Sequence, residues 1–578
     1  MSLLKELNEA TRSEIQTLWE KGDTKELERR MRPRIEFGTA GLRGKMEAGW
    51  TRYERLEYAS QGLCQYVLSQ VKDASSRGIV IGHDHRYNSE RWAQLTAAVF
   101  LEHGVKVYLY RGLVHTPLVP FGVQRLNAAC GVMITASHNP KNDNGYKVYW
   151  ENAVQIIAPH DKGISDAIKS NLNPKTWSVD QVQSSPNCLD VTEDIKKLYF
   201  SAIEQLKLPQ YAPSAQPIVF VNTSMHGVSH PFVTKALGSY GITVNPVKEQ
   251  MLPDPDFPTV PFPNPEEKAL DLAIEMAKNC KANYVLAQDP DSDRFSACEL
   301  HSTGVTTFTG DQLGTIFAAQ AFEIYRDSGK PLSKLAIIAS TVSSKMVEAM
   351  AAKEGFKFVE CLTGFKYIGN TALDIVEKGY EVPFGYEEAI GFMFGEVRDK
   401  DGVAASVMFA QLAETLHGQG RTVNSYLEDL YKRYGYFKTS NSYFICNDPQ
   451  IVDTIFFRLR NYHDQKSGPG PNYPQSIAGL EITGVVDLTT GYDSSNPPSY
   501  EPSLPLSSGH MIQFRGEQKF DGTKIVLTIR TSGTEPKIKY YLEGSGKDSK
   551  VVSELLPRVV SELGSDWMQA LVYDLGHP

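Results

Sequence analysis

Val132-Met133-Ile134-Thr135-Ala136-Ser137-His138-Asn139-Pro140-Lys141-Asn142-Asp143-Asn144-Gly145-Tyr146-Lys147-Val148-Tyr149 passes from an apolar run into a polar loop and out into a second strand-like run ending at Trp150. Small residues at the end of a buried strand leave the Ser137 hydroxyl in the open, with His138 beside it. That is how a nucleophile is displayed at the carboxyl edge of an α/β sheet, where such folds bind ligands. Taken alone, the stretch also reads as a polar turn between two strands.

The same device recurs. Apolar first strands that end in polar turns stand at Ile79–Asp84, Ile218–Thr223 and Ala336–Thr341. Each is followed by a helix-like stretch and a second strand led by Gly104, Gly241 or Gly355. Each unit then reaches a third strand with an unusual loop: Thr135–Pro140, Gln288–Arg294 and Gly385–Gly391. Strand–helix–strand order builds a largely parallel sheet flanked by helices, and units of about 120–140 residues are of domain size. Beyond residue 441 alternating strands and a helix near 548–563 predict a smaller domain with an antiparallel sheet. The fold class expected is therefore α/β: three related α/β domains with mixed, largely parallel sheets, then a C-terminal α+β domain. The boundaries read as 1–210, 211–328, 329–440 and 441–578, with Pro-rich seams at 208–214 and 327–331. An amphipathic helix is expected over 3–31.

Composition narrows the class of function. A chain of 578 residues exceeds one core. A net charge of −9 with no broad basic stripe argues against a nucleic-acid partner. Seven scattered cysteines with no Cys-x-x-Cys pair fit free thiols in a reducing compartment. Neither a signal segment nor a membrane span is evident, so a cytoplasmic enzyme or binding protein is expected.

Four further loops could carry chemistry. Gly38, Gly41 and Gly44, with Arg43 and Lys45 among them, let the backbone approach an anion, although a flexible connector fits as well. In Asp289-Pro290-Asp291-Ser292-Asp293-Arg294 the aspartates alternate, and a kink at Pro290 lets them converge on one hard cation; oxygen-only ligation suits magnesium. The competing reading is a solvated acidic turn. Gly385-Tyr386-Glu387-Glu388-Ala389-Ile390-Gly391 offers carboxylates to sugar hydroxyls, with Thr363-Gly364 nearby in sequence. Arg530-Thr531-Ser532-Gly533-Thr534-Glu535-Pro536-Lys537 would cradle a phosphate, or close a polar hairpin.

Together Thr135–Pro140, Asp289–Arg294 and Arg530–Pro536 resemble, in order, the phosphoserine, metal and phosphate loops of the α-D-phosphohexomutase superfamily. The resemblance covers essentially the whole chain and implies four domains around one central cleft. It implies that Ser137 carries a phosphoryl group and, with Asp289, Asp291 and Asp293, holds Mg2+. Arg43, His138 and Lys147 fall at proton-handling and charge-stabilising positions. Asp293, Arg294, Thr363, Gly364, Glu387, Ala389 and Lys400, with Arg43, fall at substrate contacts. Arg530, Ser532, Gly533, Thr534 and Lys537 would grip the phosphate that is not transferred.

Main-type phosphoglucomutases carry a serine where this chain has Ala389, so one hydroxyl partner for the sugar is missing. The loop is similar instead to the phosphopentomutase branch. That implies exchange of ribose or deoxyribose 1-phosphate with the 5-phosphate, slower glucose phosphate turnover, and a sugar bisphosphate (glucose 1,6-bisphosphate or ribose 1,5-bisphosphate) as activator. Main-type phosphoglucomutase, glucose 1,6-bisphosphate synthase and a sugar-phosphate-binding regulator are the rivals. Sugar phosphates are the expected partners, with no nucleic acid and no membrane, in a monomer or weak homodimer.

Overall fold

The computed structural model describes residues 9–577 apart from 33–36, 38–40, 49–55, 173–174, 177, 210, 212–217, 463–470 and 534. The described chain divides into two compact units, 1–338 with 364–424, and 339–363 with 425–578.

In the first unit, a six-stranded sheet has the order Gly41–Lys45, Asp143–Trp150, Cys130–Ile134, Ile79–His83, Val107–Leu109, Cys188–Asp190. The last four strands are parallel, with crossovers through the helices Ser89–Glu102 and Leu118–Leu126. The first two are antiparallel additions, so the sheet is mixed. Ile79, Ile81, Val132, Ile134 and Val148 are wholly buried with Leu63 and Phe100 in one core cluster. Each such side chain contributes about 1.5–3 kcal/mol on leaving water.

A five-stranded sheet repeats the plan, in the order Gly304–Thr307, Phe295–His301, Tyr284–Gln288, Phe220–Thr223, Val244–Pro246. Its last three strands are parallel and its first two antiparallel. A third sheet gives the first unit the hairpin Glu381–Glu387 and Gly391–Phe394. In all three repeats the unusual loop therefore joins an antiparallel pair at the end of a buried strand.

The second unit carries an eight-stranded sheet whose main path runs Tyr436–Thr439, Lys537–Gly546, Lys524–Thr531, Met511–Glu517, Leu480–Asp487, Ser476–Ile477. All of its pairings are antiparallel, and the last long helix is Ser549–Glu562. At the amino end the expected single helix is two, Glu9–Glu20 and Thr24–Met31. Gly22 turns left-handed at φ 66°, and the Asp23 carboxylate caps the second helix by accepting from the Glu26 N–H at 3.1 Å. The first residues of that expected helix lie outside the described chain. Among the described residues no helix is long and apolar enough to cross a membrane.

Gly145 shows how tightly the serine hairpin closes: a Cβ there would sit 2.2 Å from the Thr135 carbonyl oxygen. Gly145→Ala should therefore cost about 1–3 kcal/mol or more through overpacking, seen as a lower midpoint in calorimetry. An unchanged midpoint would show that the hairpin has slack.

Candidate active site

Ser137 leaves the strand Cys130–Ile134 with φ at 53°, a left-handed conformation uncommon for a side-chain-bearing residue. Its N–H donates to Thr135 Oγ1 at 2.9 Å, and its hydroxyl donates to Asp289 Oδ2 at 2.6 Å. His138 Nδ1 lies 3.3 Å from the same hydroxyl oxygen. Desolvation, with Arg294 and Arg43 nearby, pulls His138 well below the usual imidazole range, so the ring is neutral at pH 7.

The aspartate loop is folded on itself and braced from outside. Ser292, at φ 59°, donates from its N–H to Asp289 O at 2.8 Å, and the Arg294 N–H donates to Asp289 Oδ1 at 2.9 Å. The Val228 N–H reaches Pro290 O at 2.9 Å, while a Cβ on Gly227 would stand 2.3 Å from Pro290 Cα. Asp289, Asp291 and Asp293 are buried, with ligand oxygens within 4.8 Å of one another. Lys147 Nζ, from the second strand of the serine hairpin, donates to Asp291 Oδ2 at 2.7 Å and Asp293 Oδ2 at 2.6 Å. Thr116 Oγ1 donates to Asp291 Oδ2 at 2.5 Å.

These contacts set the charge states. Burial pushes Asp291 up, but the Lys147 ammonium more than offsets it and holds the carboxyl below its ordinary range. Burial lowers Lys147, and Asp291 and Asp293 reverse that, so the ammonium keeps its proton. Asp289 is pushed well up by burial, then by Asp291 and Asp293. Asp291 Oδ1 and Asp293 Oδ1 are buried with no hydrogen-bond partner among the described residues. Such oxygens are costly to leave bare, and the all-oxygen cluster fits a hard divalent cation.

The loop 385–391 closes on the same place. Arg294 forms an isolated antiparallel bridge with Gly391, and Lys400 Nζ lies 3.5 Å from Asp293 Oδ2. Glu387 is buried, and burial is the main cause that pushes its carboxyl up to about 7, with Lys400 opposing. Lys400 stands over the Phe365 ring at 5.3 Å. Ala389 is half-buried in the hairpin turn, and the Gly364 backbone (φ 115°) starts the helix Phe365–Glu377.

Ser137, His138, Lys147, Asp289, Asp291, Asp293, Arg294, Glu387 and Lys400 are thus gathered in the first unit. Arg43 is exposed on the neighbouring strand, its Nη1 donating to Asn139 Oδ1 at 3.1 Å. Gly38 of that loop lies outside the described residues.

The remaining residues named from sequence belong to the second unit. Thr363 Oγ1 is buried there and unpaired among the described residues. Arg530 Nη2 donates to the Tyr541 hydroxyl at 2.8 Å, Lys537 Nζ donates to Glu535 Oε1 at 2.7 Å, and the Ser532 N–H donates to Lys537 O at 2.9 Å. A Cβ on Gly533 would meet nothing within 4 Å, so this turn is open. Thr534 lies outside the described residues. Thr116 and Asp399, the latter accepting from the Tyr149 hydroxyl at 2.7 Å, escaped the sequence reading because neither sits in a patterned loop. Arg86 escaped too; its signal was the polar turn after the strand Ile79–His83.

Residues 34–175, 197–302 and 309–434 match, in order, alpha/beta/alpha domains I, II and III of phosphoglucomutase/phosphomannomutase. The chain belongs to the phosphoglucomutase/phosphomannomutase family. A probable phosphoribomutase of Schizosaccharomyces pombe is 44% identical, across 99% of this chain and 97% of its own length. A glucose 1,6-bisphosphate synthase of Homo sapiens is 41% identical, across 97% of this chain and 92% of its own. Among solved structures, the open form of parafusin, a phosphoglucomutase from Paramecium, superposes with a TM-score of 0.66 at 19% identity, covering 93% of this chain and 95% of that one. That likeness concerns the fold.

Lys147 makes the short ion pairs to both Asp291 and Asp293, and Lys400, 3.5 Å from Asp293, adds a more distant charge. Lys147→Met should cost about 3–5 kcal/mol in chelator, the range for breaking a buried ion pair, and added magnesium should recover part of it. Equal urea midpoints for variant and wild type would show that Lys147 does not carry this compensation.

Proposed function

We propose that the protein is a phosphosugar mutase that interconverts ribose or deoxyribose 1-phosphate and the 5-phosphate through phosphorylated Ser137 and a sugar bisphosphate. The observation that carries this reading is the Ser137 hydroxyl held 2.6 Å from Asp289 in a buried acidic cluster charge-balanced by Lys147. The name of the 44% identical relative and Ala389 in the sugar loop support the pentose.

Transfer breaks the bond between phosphorus and Ser137 Oγ and forms one to a sugar hydroxyl, whose proton must leave. Lys147 keeps its proton and acts as fixed positive charge beside the reacting phosphoryl group. His138 is neutral and 3.3 Å from Ser137 Oγ, so its ring can relay the proton, as a base weakened by burial and by Arg294 and Arg43. Arg43 adds a second positive charge from the open side. Asp289, Asp291, Asp293 and Ser137 would hold Mg2+, which when bound offsets charge on the migrating group. Arg294, Glu387, Lys400, Thr363, Gly364, Asp293 and the Ala389 turn are assigned the sugar. Arg530, Ser532, Gly533, Thr534 and Lys537 are assigned the other phosphate. The bisphosphate turns over in place and returns its second phosphoryl group to Ser137. The four domains are taken at 1–210, 211–328, 329–440 and 441–578, in a cytoplasmic monomer or weak homodimer.

A second reading, glucose 1,6-bisphosphate synthase, draws on the 41% identical human relative. Parallel kcat/KM measurements with ribose 1-phosphate, glucose 1-phosphate and 1,3-bisphosphoglycerate as donor separate the two, and ribose 1-phosphate should lead. A clear preference for glucose 1-phosphate would overturn the pentose assignment. Ser137→Ala should abolish mutase turnover while leaving the thermal midpoint close to wild type; near-normal turnover would remove the phosphoserine route.

Glu387 gives a pH signature. Its folded value of about 7 lies above that of the free side chain, so the proton is lost, and carboxylate acceptance of sugar hydroxyls gained, as pH rises through about 7. The KM for ribose 1-phosphate should fall between about pH 6 and about pH 8, and Glu387→Gln should remove that part of the dependence. The same upward shift makes folding stability fall as pH rises from about 4.5, where the free side chain loses its proton, to about 7, where the folded one does. A KM profile identical in wild type and Glu387→Gln would take Glu387 out of sugar binding.

A further inference from the structure

The strand Ile79–His83 lies parallel to Cys130–Ile134, with His83 in register with Ile134, so two loops leave the sheet at the same edge. One carries Ser137. The other, Asp84-His85-Arg86-Tyr87-Asn88, has no assigned role.

The Arg86 side chain is wholly buried, 0% exposed, and its guanidinium is spent on the backbone of the serine loop. Nη2 donates to Ser137 O at 2.7 Å and Asn139 O at 2.6 Å. Nη1 donates to Pro140 O at 2.9 Å and Asp143 O at 3.1 Å. A flat fork with fixed donor directions can tie these four carbonyls into one turn; a lysine ammonium, a point charge on a flexible stem, cannot.

The fork is itself held. Asp84 Oδ2 lies 3.4 Å from Arg86 Nε, and Asp84 Oδ1 accepts from the Arg86 N–H at 2.9 Å and Ser89 Oγ at 2.6 Å. The Phe257 ring, from the second repeat, lies 4.9 Å from the guanidinium carbon. Beside it, Asp256 accepts from the Tyr87 hydroxyl at 2.9 Å and from Lys141 Nζ at 3.0 Å.

We infer that Arg86 is a positioning residue for phosphoryl transfer: with Phe257 behind it, it locks the left-handed backbone at Ser137 that aims Oγ at Asp289. Arg86 touches neither the aspartates nor the hydroxyl. Its effect is on aim, and it rests on Ser137 being the phosphoryl carrier.

The test compares wild type, Arg86→Lys, Arg86→Ala, Phe257→Leu and Ser137→Ala, with ribose 1-phosphate as substrate and ribose 1,5-bisphosphate as activator, each corrected for its folded fraction by circular dichroism. A misplacement of about 1 Å costs about a hundredfold in rate, so Arg86→Lys should lose about that in kcat with KM little changed. Phe257→Leu should lose about tenfold, the scale of a desolvated cation–π contact. Millimolar guanidinium should restore part of kcat to Arg86→Ala and none to Ser137→Ala. Retention of wild-type kcat per folded molecule in Arg86→Lys and Phe257→Leu would overturn the inference, as would a loss confined to KM or no guanidinium rescue. If Arg86→Ala does not fold, Arg86→Lys and Phe257→Leu decide alone. An inactive wild type with unmodified Ser137 would instead overturn the mutase reading on which the inference rests.

Discussion

Three carboxylates cannot share a dry pocket without positive charge, and this chain meets that constraint by sending Lys147 across from the serine hairpin. Its ammonium lies within 2.7 Å of both Asp291 and Asp293. The idealised cost of burying one uncompensated carboxylate is of order 20 kcal/mol, so the aspartate loop depends on that lysine, on Lys400 3.5 Å from Asp293, or on a bound cation. The first and second repeats are therefore joined by charge as well as by packing. Because Lys147 and Ser137 stand on the same hairpin, whatever places the lysine also places the hydroxyl next to Asp289.

Strain is kept where chemistry is expected. Ser137, Ser292 and Ile390, one in each of the three loops, have left-handed backbones at φ 53°, 59° and 52°. Each costs of order 1–3 kcal/mol and persists only where the surroundings over-determine it. Here the surroundings are explicit: the Arg86 fork for Ser137, the Asp289 turn for Ser292, and for the Ile390 turn the close approach of Gly310, whose Cβ would lie 2.0 Å from the Glu388 carbonyl. Three copies of one strand-to-loop device carry a serine hydroxyl, a cluster of three aspartates and a buried glutamate.

What was legible in the sequence was whatever has a period or a dense local pattern. Apolar runs such as Val132–Ile134 and Ile79–Ile81 announced the sheets, and alternating aspartates or clustered glycines announced the loops. Contacts made across long sequence separations by ordinary residues were not legible. Thr116 meets Asp291 across 175 positions and Tyr149 meets Asp399 across 250; nothing local distinguishes either from any other buried polar side chain. Arg86 went unread because its partners are backbone carbonyls, which leave no mark on composition. The broken amino-terminal helix was missed for a different reason: a glycine followed by a capping aspartate outweighed the helical spacing on either side.

The central claim is that Ser137 carries the phosphoryl group. Purified protein incubated with magnesium and a sugar bisphosphate, then digested and sequenced by mass spectrometry, tests it directly. One phosphoryl adduct on Ser137, removed by excess ribose 1-phosphate or 5-phosphate, is the predicted result. An unmodified Ser137, or an adduct on another residue that turns over in its place, would contradict the account.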